Sequence, residues 1–381
     1  MAWCAVLCAV TLLMRGSITC VGVLTEQVVA TFGIDYTDFG VLNALPIVLF
    51  GLGCFFAQAS CSRLGVNGTV TLALMLVFVG AIGRLFPVYE TLLLSTVLIG
   101  LGISFLNVLM PVLLKEQFHE HIDVATGIFT GLIGLSGAIG TFVSVPLLRS
   151  AGTLAAPFGV WICFAGAALF GWTVVSKSEP AVRQTGGFSA GFLKYPTVWA
   201  ITLAMALQSL MIYTTAAWLP TILRETRFSV EQAAVGVSIY LLISVPTSIA
   251  TPWLIKLFRG ERFTVLFAAV NYAVGVTLWL FGGKAALLGC LMAGVSQGLC
   301  LSLAMLVMAR KTNSLTELFR ISGFAQGIGY VIAGLGPWCC GVLYEATSQT
   351  YVIAVVMLAT VAMWGASAAF AYAGDSIGNS V

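Results

Sequence analysis

The residue whose type fits its surroundings least is Arg15, near the middle of an apolar segment from Trp3 to about Phe32. No acidic residue occurs within ten positions of it. A cation at bilayer depth costs at least ~2.5–3.5 kcal/mol and normally faces a polar cavity or a counter-charge. In low dielectric, an arginine can hold a planar anion through two parallel hydrogen bonds. Arg15 therefore predicts a site for an anionic or strongly polar ligand; a structural arginine bonded to backbone carbonyls is the alternative.

Arg15 shares a helical face with Thr19, Gly22 and Glu26, at steps of four, three and four residues. Glu26 is about 16 Å farther along the helix axis, so it is expected near the outer surface. There it is either a gating or coupling residue or simply a solvated helix end. Arg84, at the outer end of the third apolar segment, is expected either to attract anions, as a second gating or coupling residue, or to anchor the membrane interface.

Further amide and aromatic side chains at membrane depth are candidates for hydrogen bonding or closing over the same substrate. They are Asn43, Asn107, Gln208, Tyr213, Trp218, Tyr240, Gln326 and Tyr330. For the amides, hydrogen bonding between helices is the competing interpretation. Asn43 also precedes Pro46, which predicts a broken helix whose freed carbonyls line a cavity.

The composition of the chain identifies its class. Of its 381 residues, 60% are apolar and only 8% are charged, and the mean hydropathy is +1.04. Soluble domains carry roughly 25% charged residues, so the fold class is an all-α membrane protein. A net charge of +3 gives no indication of nucleic-acid binding. The ten cysteines show no metal-binding spacing and are interpreted as buried, reduced core residues, so no metal or cofactor is expected.

Segments of about 20 apolar residues are long enough to span a membrane. The sequence predicts twelve of them, at 3–32, 38–61, 67–86, 89–114, 123–148, 155–176, 196–223, 231–257, 262–282, 284–309, 316–344 and 350–373. With both termini in the cytoplasm, the inner side holds eleven lysine and arginine residues and the outer side five. This asymmetry favours cytoplasmic termini.

The two halves of the chain align with each other at an offset of 194–196 residues, which matches Gly40 with Gly236 and Gly100 with Gly294. The sequence thus predicts two six-helix repeats, 1–176 and 196–381, joined by a cytoplasmic linker at 177–195. Carriers built from such parallel repeats bind substrate near mid-depth at the repeat interface. Ser209 then takes the place of Arg15 in the second repeat, which would bring Gln208 and Tyr213 opposite Arg15.

Arg15 and a set of motifs resemble the major facilitator superfamily, and within it the cyanate/2-nitroimidazole permease (CynX/NimT-type) branch. The motifs are LNALP at 42–46, GAIGR at 80–84, GLGISFLNVLMPVLLK at 100–115, LQSLMIYTTAAWLPTIL at 207–223 and FAQGIGYVIAGLGP at 324–337. The resemblance implies a monomeric carrier in the bacterial inner membrane, importing or exchanging a small anion or a small polar heterocycle by alternating access.

The chain departs from the superfamily pattern in two places. The charged loop after the second span is reduced to residues 62–65, which removes the usual cytoplasmic gating contact. Gly16 stands where relatives often have proline, and it is expected to loosen the first span.

Several functions remain open from the sequence. No carboxylate lies deep in a span, so a facilitated carrier or exchanger is as well supported as a proton symporter. A multidrug efflux carrier would be expected to have a deep acidic residue, and a sensor or scaffold would be expected to have a soluble output domain. An intramembrane enzyme would need clustered nucleophiles or metal ligands at depth, and the sequence offers none.

Overall fold

Long apolar runs separated by short polar breaks form helices throughout the chain. The computed structural model describes residues 2–34, 36–176 and 190–375. Within these ranges the α-helices are α1 (Ala2–Gly22), α2 (Thr25–Phe32), α3 (Tyr36–Gly83), α4 (Tyr89–Gln117), α5 (Ile122–Ala151), α6 (Ala155–Ser176), α7 (Pro196–Glu225), α8 (Val230–Leu257), α9 (Glu261–Trp279), α10 (Gly283–Lys311), α11 (Leu315–Thr347) and α12 (Thr350–Ala373). No strand occurs in the same residues, which confirms the predicted all-α class.

Eleven helical stretches of the described residues are long and apolar enough to cross a membrane. One of them, Leu45–Gly83 within α3, has 39 residues and would be about 58 Å long as a straight helix, against a hydrocarbon core of roughly 30 Å. Gly65 interrupts it with φ 71° and ψ 178°, a conformation that is essentially restricted to glycine. The second and third predicted spans therefore lie on either side of Gly65, without a loop between them.

The first predicted span, 3–32, is divided in the structure. α1 ends at Gly22 and α2 begins at Thr25, whose hydroxyl donates to the Gly22 carbonyl at 2.8 Å. The Leu24 amide donates to the Val21 carbonyl at 3.1 Å, a turn rather than a helical step. The expectation that Arg15 and Glu26 share one continuous helical face is therefore wrong.

The predicted break at Pro46 is also wrong. α3 runs through this proline, and Gly65 is its one interior residue with non-helical backbone angles. Membrane helices tolerate proline when neighbouring groups satisfy the freed backbone.

The chain divides into two compact units, Met1–Met110 with Leu132–Phe188 and Pro111–Gly131 with Ser189–Val381. In the first unit, α6 packs against both α1 and α3. In the second, α7 packs on α11 and α12, and α10 packs on α8 and α9, around the buried rings of Trp279 and Trp364. The predicted repeat boundaries, with a linker at 177–195, stay a prediction; most of that linker lies outside the described residues.

The cysteines are only partly as predicted. All ten are free, and six of them are buried, but Cys4, Cys163 and Cys339 are exposed on helix surfaces and Cys8 is half-buried. Helix faces that meet lipid are as apolar as the core, so composition alone does not separate the two environments.

Candidate functional site

A side chain of α5 bonds the backbone of α1 beside Arg15. The amides of Arg15 and Gly16 donate to the hydroxyl of Ser136, at 3.2 and 2.8 Å. Ser136 in turn donates to the carbonyl of Leu12, which in a regular helix accepts the Gly16 amide. The position of Arg15 is therefore set jointly by α1 and α5.

Two glycines permit this close approach. A Cβ atom on Gly140 would lie 2.6 Å from the Gly16 carbonyl oxygen. A Cβ atom on Gly16 would lie 1.8 Å from the Trp161 ring, on the α6 side of α1. Gly16 is therefore tightly packed between neighbours, and the expectation that it loosens the first span stays a prediction.

The guanidinium of Arg15 lies over an aromatic ring. Its Cζ atom is 5.3 Å from the centroid of Phe50 in α3, a cation–π distance. The Phe50 carbonyl accepts a hydrogen bond from Ser104 of α4 at 3.1 Å, and Asn107 lies buried one turn beyond Ser104. The first unit thus places Arg15, an aromatic face and a buried amide on three helices. Asn43 also lies in α3, but its side chain is outside the described residues.

Arg84 is buried inside the first unit. Only 4% of it is exposed, and its Nη1 atom donates to the carbonyl of Ser17 near the end of α1. Its Cζ atom is 5.8 Å from the Phe158 ring centroid, in α6. A cation at a helix carboxyl end is stabilised by the helix dipole. Arg84, which directly follows α3, therefore joins α1 to α6, and its roles in coupling and at the membrane interface stay predictions. Glu26 is exposed in the first turn of α2, and its coupling role stays a prediction.

In the second unit, two candidate glutamines are buried on α7 and α11. Gln326 donates to Ser322 at 2.8 Å, and Gln208 donates to Ser209 at 2.5 Å. The Oε1 atom of Gln208 is buried and has no hydrogen-bond partner among the residues that the structure describes. A buried acceptor in this state costs about 1–3 kcal/mol unless another group donates to it. Gln208 is therefore suited to receive a hydrogen bond from a ligand.

Aromatic candidates occur on the same two helices. Tyr330 is buried in α11, and Tyr213 is half-buried in α7. Trp218 uses its indole N–H to donate to the Pro337 carbonyl at 3.1 Å, and its ring lies 5.3 Å from that of Tyr344. Trp218 therefore joins one end of α7 to α11, which leaves its ring rather than its N–H for any contact with a substrate.

Tyr240 does not belong with this group. Its hydroxyl donates to Gln297 at 3.0 Å and lies 3.1 Å from the Tyr272 hydroxyl, which in turn is 2.9 Å from that of Thr215. The four residues join α7, α8, α9 and α10 in the core of the second unit, and Tyr240 is fully buried. The structure therefore removes Tyr240 from the candidate binding residues. The sequence placed Tyr240 at membrane depth but did not identify the side chains on which it packs.

A cluster that sequence reasoning missed lies where α10 ends. Lys115, at the end of α4, donates to the carbonyl of Ala309 at 2.6 Å and to the Thr312 hydroxyl at 2.9 Å, and it also contacts the Thr312 carbonyl. Arg310 pairs with Asp123 of α5 and with Glu261 of α9. We call Lys115, Asp123, Glu261, Arg310 and Thr312 the α10-end cluster.

The α10-end cluster ties the segment Pro111–Gly131 to α9 and α10 within the second unit. Deeper along the same helices, the hydroxyls of Thr130 and Ser302 are 2.6 Å apart. In the sequence, Lys115 and Arg310 contributed only to the predicted orientation of the chain in the membrane. Opposite charges at the ends of separate spans, Asp123 and Arg310, were the signal available for finding the cluster.

A model of the Major Facilitator Superfamily matches residues 7–337 of the chain. The chain is 29% identical to the uncharacterized transporter YycB of Bacillus subtilis (strain 168), over 93% of this chain and 89% of that protein. It is 26% identical to the 2-nitroimidazole transporter of Escherichia coli (strain K12), over 88% and 86% of the two chains. It is also 26% identical to the cyanate transport protein CynX of the same organism, over 89% and 88%.

Solved structures share the fold. The transporter FucP in its outward conformation superposes with a TM-score of 0.75 at 13% identity, over 96% of this chain and 98% of that chain. The proton:xylose symporter XylE superposes with a TM-score of 0.76 at 12% identity, over 98% and 96%. At these identities the likeness concerns architecture alone.

Proposed function

Because the chain belongs to the Major Facilitator Superfamily, we propose that it is a secondary transporter of a small anion or a small polar heterocycle. Two relatives that align over most of the chain carry names of this substrate class, cyanate and 2-nitroimidazole. Both compounds are small and polar, and neither requires a large cavity. The substrate proposed here is a member of the same chemical class.

The placement of Arg15 carries the proposal. Its half-buried guanidinium lies over Phe50, on a helix whose backbone amides bond the Ser136 hydroxyl of α5 at the same level. A guanidinium keeps its charge at any physiological pH and presents paired N–H donors in one plane. Cyanate or a nitro group can accept those donors, and the adjacent aromatic face suits a planar heterocycle.

The remaining proposed substrate contacts supply hydrogen bonds and aromatic surface. They are Asn43, Asn107, Gln208, Tyr213, Trp218, Gln326 and Tyr330. Gln208 has the strongest support among them, because its buried Oε1 atom lacks a protein donor. A heterocycle with an N–H group would satisfy it, whereas a bare anion would not.

The proposed mechanism is alternating access by two six-helix repeats in the bacterial inner membrane, with both termini in the cytoplasm and a monomeric carrier. In this orientation the α10-end cluster is cytoplasmic. Its ion pairs join α5, from the first repeat, to α9 and α10 from the second. We propose that these contacts break and re-form in each cycle. They would then take the role that the shortened loop at residues 62–65 no longer fills.

The experiment is uptake by the purified protein in proteoliposomes, with cyanate and 2-nitroimidazole as first substrates and with and without a pH gradient. Loss of one charge-assisted hydrogen-bonded contact of about 1.5–3 kcal/mol should weaken apparent affinity in Arg15→Ala roughly 10- to 100-fold. Arg15→Lys keeps the charge but not the paired donors, and it should retain part of the activity. Arg149→Ala, an exposed arginine at the end of α5, is the matched control.

The result that overturns the proposal is undiminished uptake of every anionic substrate by Arg15→Ala. Dependence of uptake on the pH gradient would identify a proton symporter, and independence would identify a facilitated carrier or exchanger.

A further inference from the structure

A groove of about 440 Å³ lies on the outer surface of the second unit, and none of its lining residues is a candidate substrate residue. Its walls come from the end of α8, from α9 and from α10. The lining residues are Phe258, Phe263, Leu266, Phe267, Val270, Asn271, Val274 and Met292. Phe263 and Val270 are 63% and 55% exposed, so the groove opens onto the surface that meets the bilayer.

The groove is suited to a hydrocarbon chain rather than to a polar ligand. Asn271 is its one polar lining residue, and its amide already donates to the Met292 carbonyl at 2.6 Å and to Ser296 at 2.8 Å. The rings of Phe258 and Phe267 are stacked with centroids 4.5 Å apart, which makes one end of the groove a rigid aromatic wall. The remaining surface offers dispersion contacts only.

Its length corresponds to one leaflet. Phe263 and Val274 are eleven residues apart on α9, or about 16 Å along a helix. Half of the roughly 30 Å hydrocarbon core is about 15 Å. An acyl chain lying along α9 would therefore remain within the groove over the depth of one leaflet.

Positive charge is concentrated where the groove reaches the α8–α9 turn. Lys256, Arg259 and Arg262 are all exposed there, immediately beside Phe258 and Phe263 in the chain. The acidic residue of the turn, Glu261, is paired with Arg310, so it does not neutralise the three cations. Basic groups at such a position attract anionic headgroups.

Arg259 also has φ 60°, a left-handed conformation that costs a non-glycine residue energy. The glycine that follows it, Gly260, would adopt such angles more readily. A long cation is thus maintained at a strained position directly above the groove.

We propose that this groove is a binding site for an anionic phospholipid, with one acyl chain along α9 and the phosphate held by Arg259 and Arg262. The site is independent of the transport proposal, because it shares no residue with the candidate substrate contacts. Two features distinguish it from ordinary annular lipid. The headgroup must be anionic, and the acyl chain must fit a fixed groove.

The test is native mass spectrometry of the purified full-length protein with added phosphatidylglycerol or phosphatidylcholine. The wild type should retain phosphatidylglycerol in preference to phosphatidylcholine. Loss of two cations, in Arg259→Gln with Arg262→Gln, should weaken that retention roughly tenfold or more. The charge-matched control is Arg224→Gln with Arg227→Gln, two exposed arginines in the last turn of α7 and just beyond it.

A second variant tests the groove without changing the charge of the protein. Val270→Trp fills it and should reduce phosphatidylglycerol retention as strongly. Val355→Trp, on α12 and 58% exposed against 55% for Val270, is its control. The proposed site is overturned if the wild type retains the two lipids equally. It is also overturned if either test variant retains as much phosphatidylglycerol as its control. A variant that fails to fold is recognised by a lowered thermal midpoint of unfolding. The other variant then tests the proposed site.

Discussion

The hydroxyl of Ser136 accepts a hydrogen bond from the backbone amide of Gly16 at 2.8 Å, so a side chain of α5 takes part in the backbone of α1. Arg15 precedes that amide, and its own N–H donates to the same hydroxyl at 3.2 Å. The direction of the guanidinium therefore depends on where α5 lies. A movement of α5 would be transmitted directly to the residue proposed to bind the substrate.

Removal of the Ser136 hydroxyl tests this relationship. In Ser136→Ala, the Gly16 amide can bond the Leu12 carbonyl directly, so the free energy of unfolding should change by only about 1 kcal/mol. Loss of this contact with α5 should displace Arg15 and raise the KM for uptake. Ser144→Ala is the control, because that hydroxyl bonds the Gly140 carbonyl within its own helix at 2.6 Å. An unchanged KM in Ser136→Ala would contradict the prediction.

The packing of Gly16 predicts a rescue. Gly16→Ala should abolish folded protein, because its methyl group would lie 1.8 Å from the Cη2 atom of Trp161. Trp161→Phe removes that outer ring, so the double variant should regain folded protein that Gly16→Ala lacks. The measurement is the yield of monodisperse protein by size-exclusion chromatography. If the losses of folded protein in the two single variants simply add in the double variant, the two residues do not clash.

Two of the three tyrosines that the sequence assigned to the site, Tyr213 and Tyr240, should behave differently. Tyr240→Phe breaks a buried network and should lower the unfolding free energy by about 0.6–1.7 kcal/mol, without altering the KM. Tyr213→Phe should raise the KM with little change in stability. Thermal unfolding and uptake, measured on both variants, separate these effects. The reverse pattern would return Tyr240 to the binding site.

Asp123→Asn tests the α10-end cluster. Arg310 would keep Glu261 but lose its partner on α5, so the segment Pro111–Gly131 should exchange its backbone amide hydrogens several-fold faster. Hydrogen–deuterium exchange read by mass spectrometry measures this directly. Glu317→Gln is the control, because that carboxylate accepts the Asn313 amide at the start of its own helix. Equal exchange in the two variants would mean that the ion pair does not hold α5.

Arg84 is expected to act on stability rather than on coupling. Arg84→Ala removes a buried charged donor from the Ser17 carbonyl and leaves a cavity, at a cost of about 2–4 kcal/mol. Its thermal midpoint should fall well below that of Arg149→Ala, whose arginine is exposed. Uptake per folded molecule should keep the wild-type dependence on the pH gradient. A changed dependence at unchanged stability would instead support the coupling role predicted from sequence.

Much of the architecture was predictable because a bilayer imposes one length on every apolar run. The predicted bounds of most spans fall within a few residues of the helices, as with 350–373 and α12. The two local errors have a common cause. The division of α1 from α2 and the continuity of α3 through Pro46 both depend on which backbone groups find partners, and hydropathy carries no information on that.

The candidate site was predictable only as far as residue type and depth. Arg15 was identifiable because a charge in an apolar run has few stable environments. Tyr240 was not, because a polar group inside a helix bundle bonds other helices as readily as it bonds a ligand. The contacts of Ser136 and Lys115 join positions more than one hundred residues apart, and single-sequence periodicity does not report such pairs.

The turn at Gly65 has a consequence for biosynthesis. Arg63 is the one charged residue between Leu45 and Gly83, so the insertion machinery encounters almost no hydrophilic signal that the chain should cross back. The return depends on a backbone geometry that alanine or any larger residue adopts only with strain. A substitution at Gly65 would therefore act first on the nascent chain, at the reversal between the second and third spans, rather than on the finished carrier.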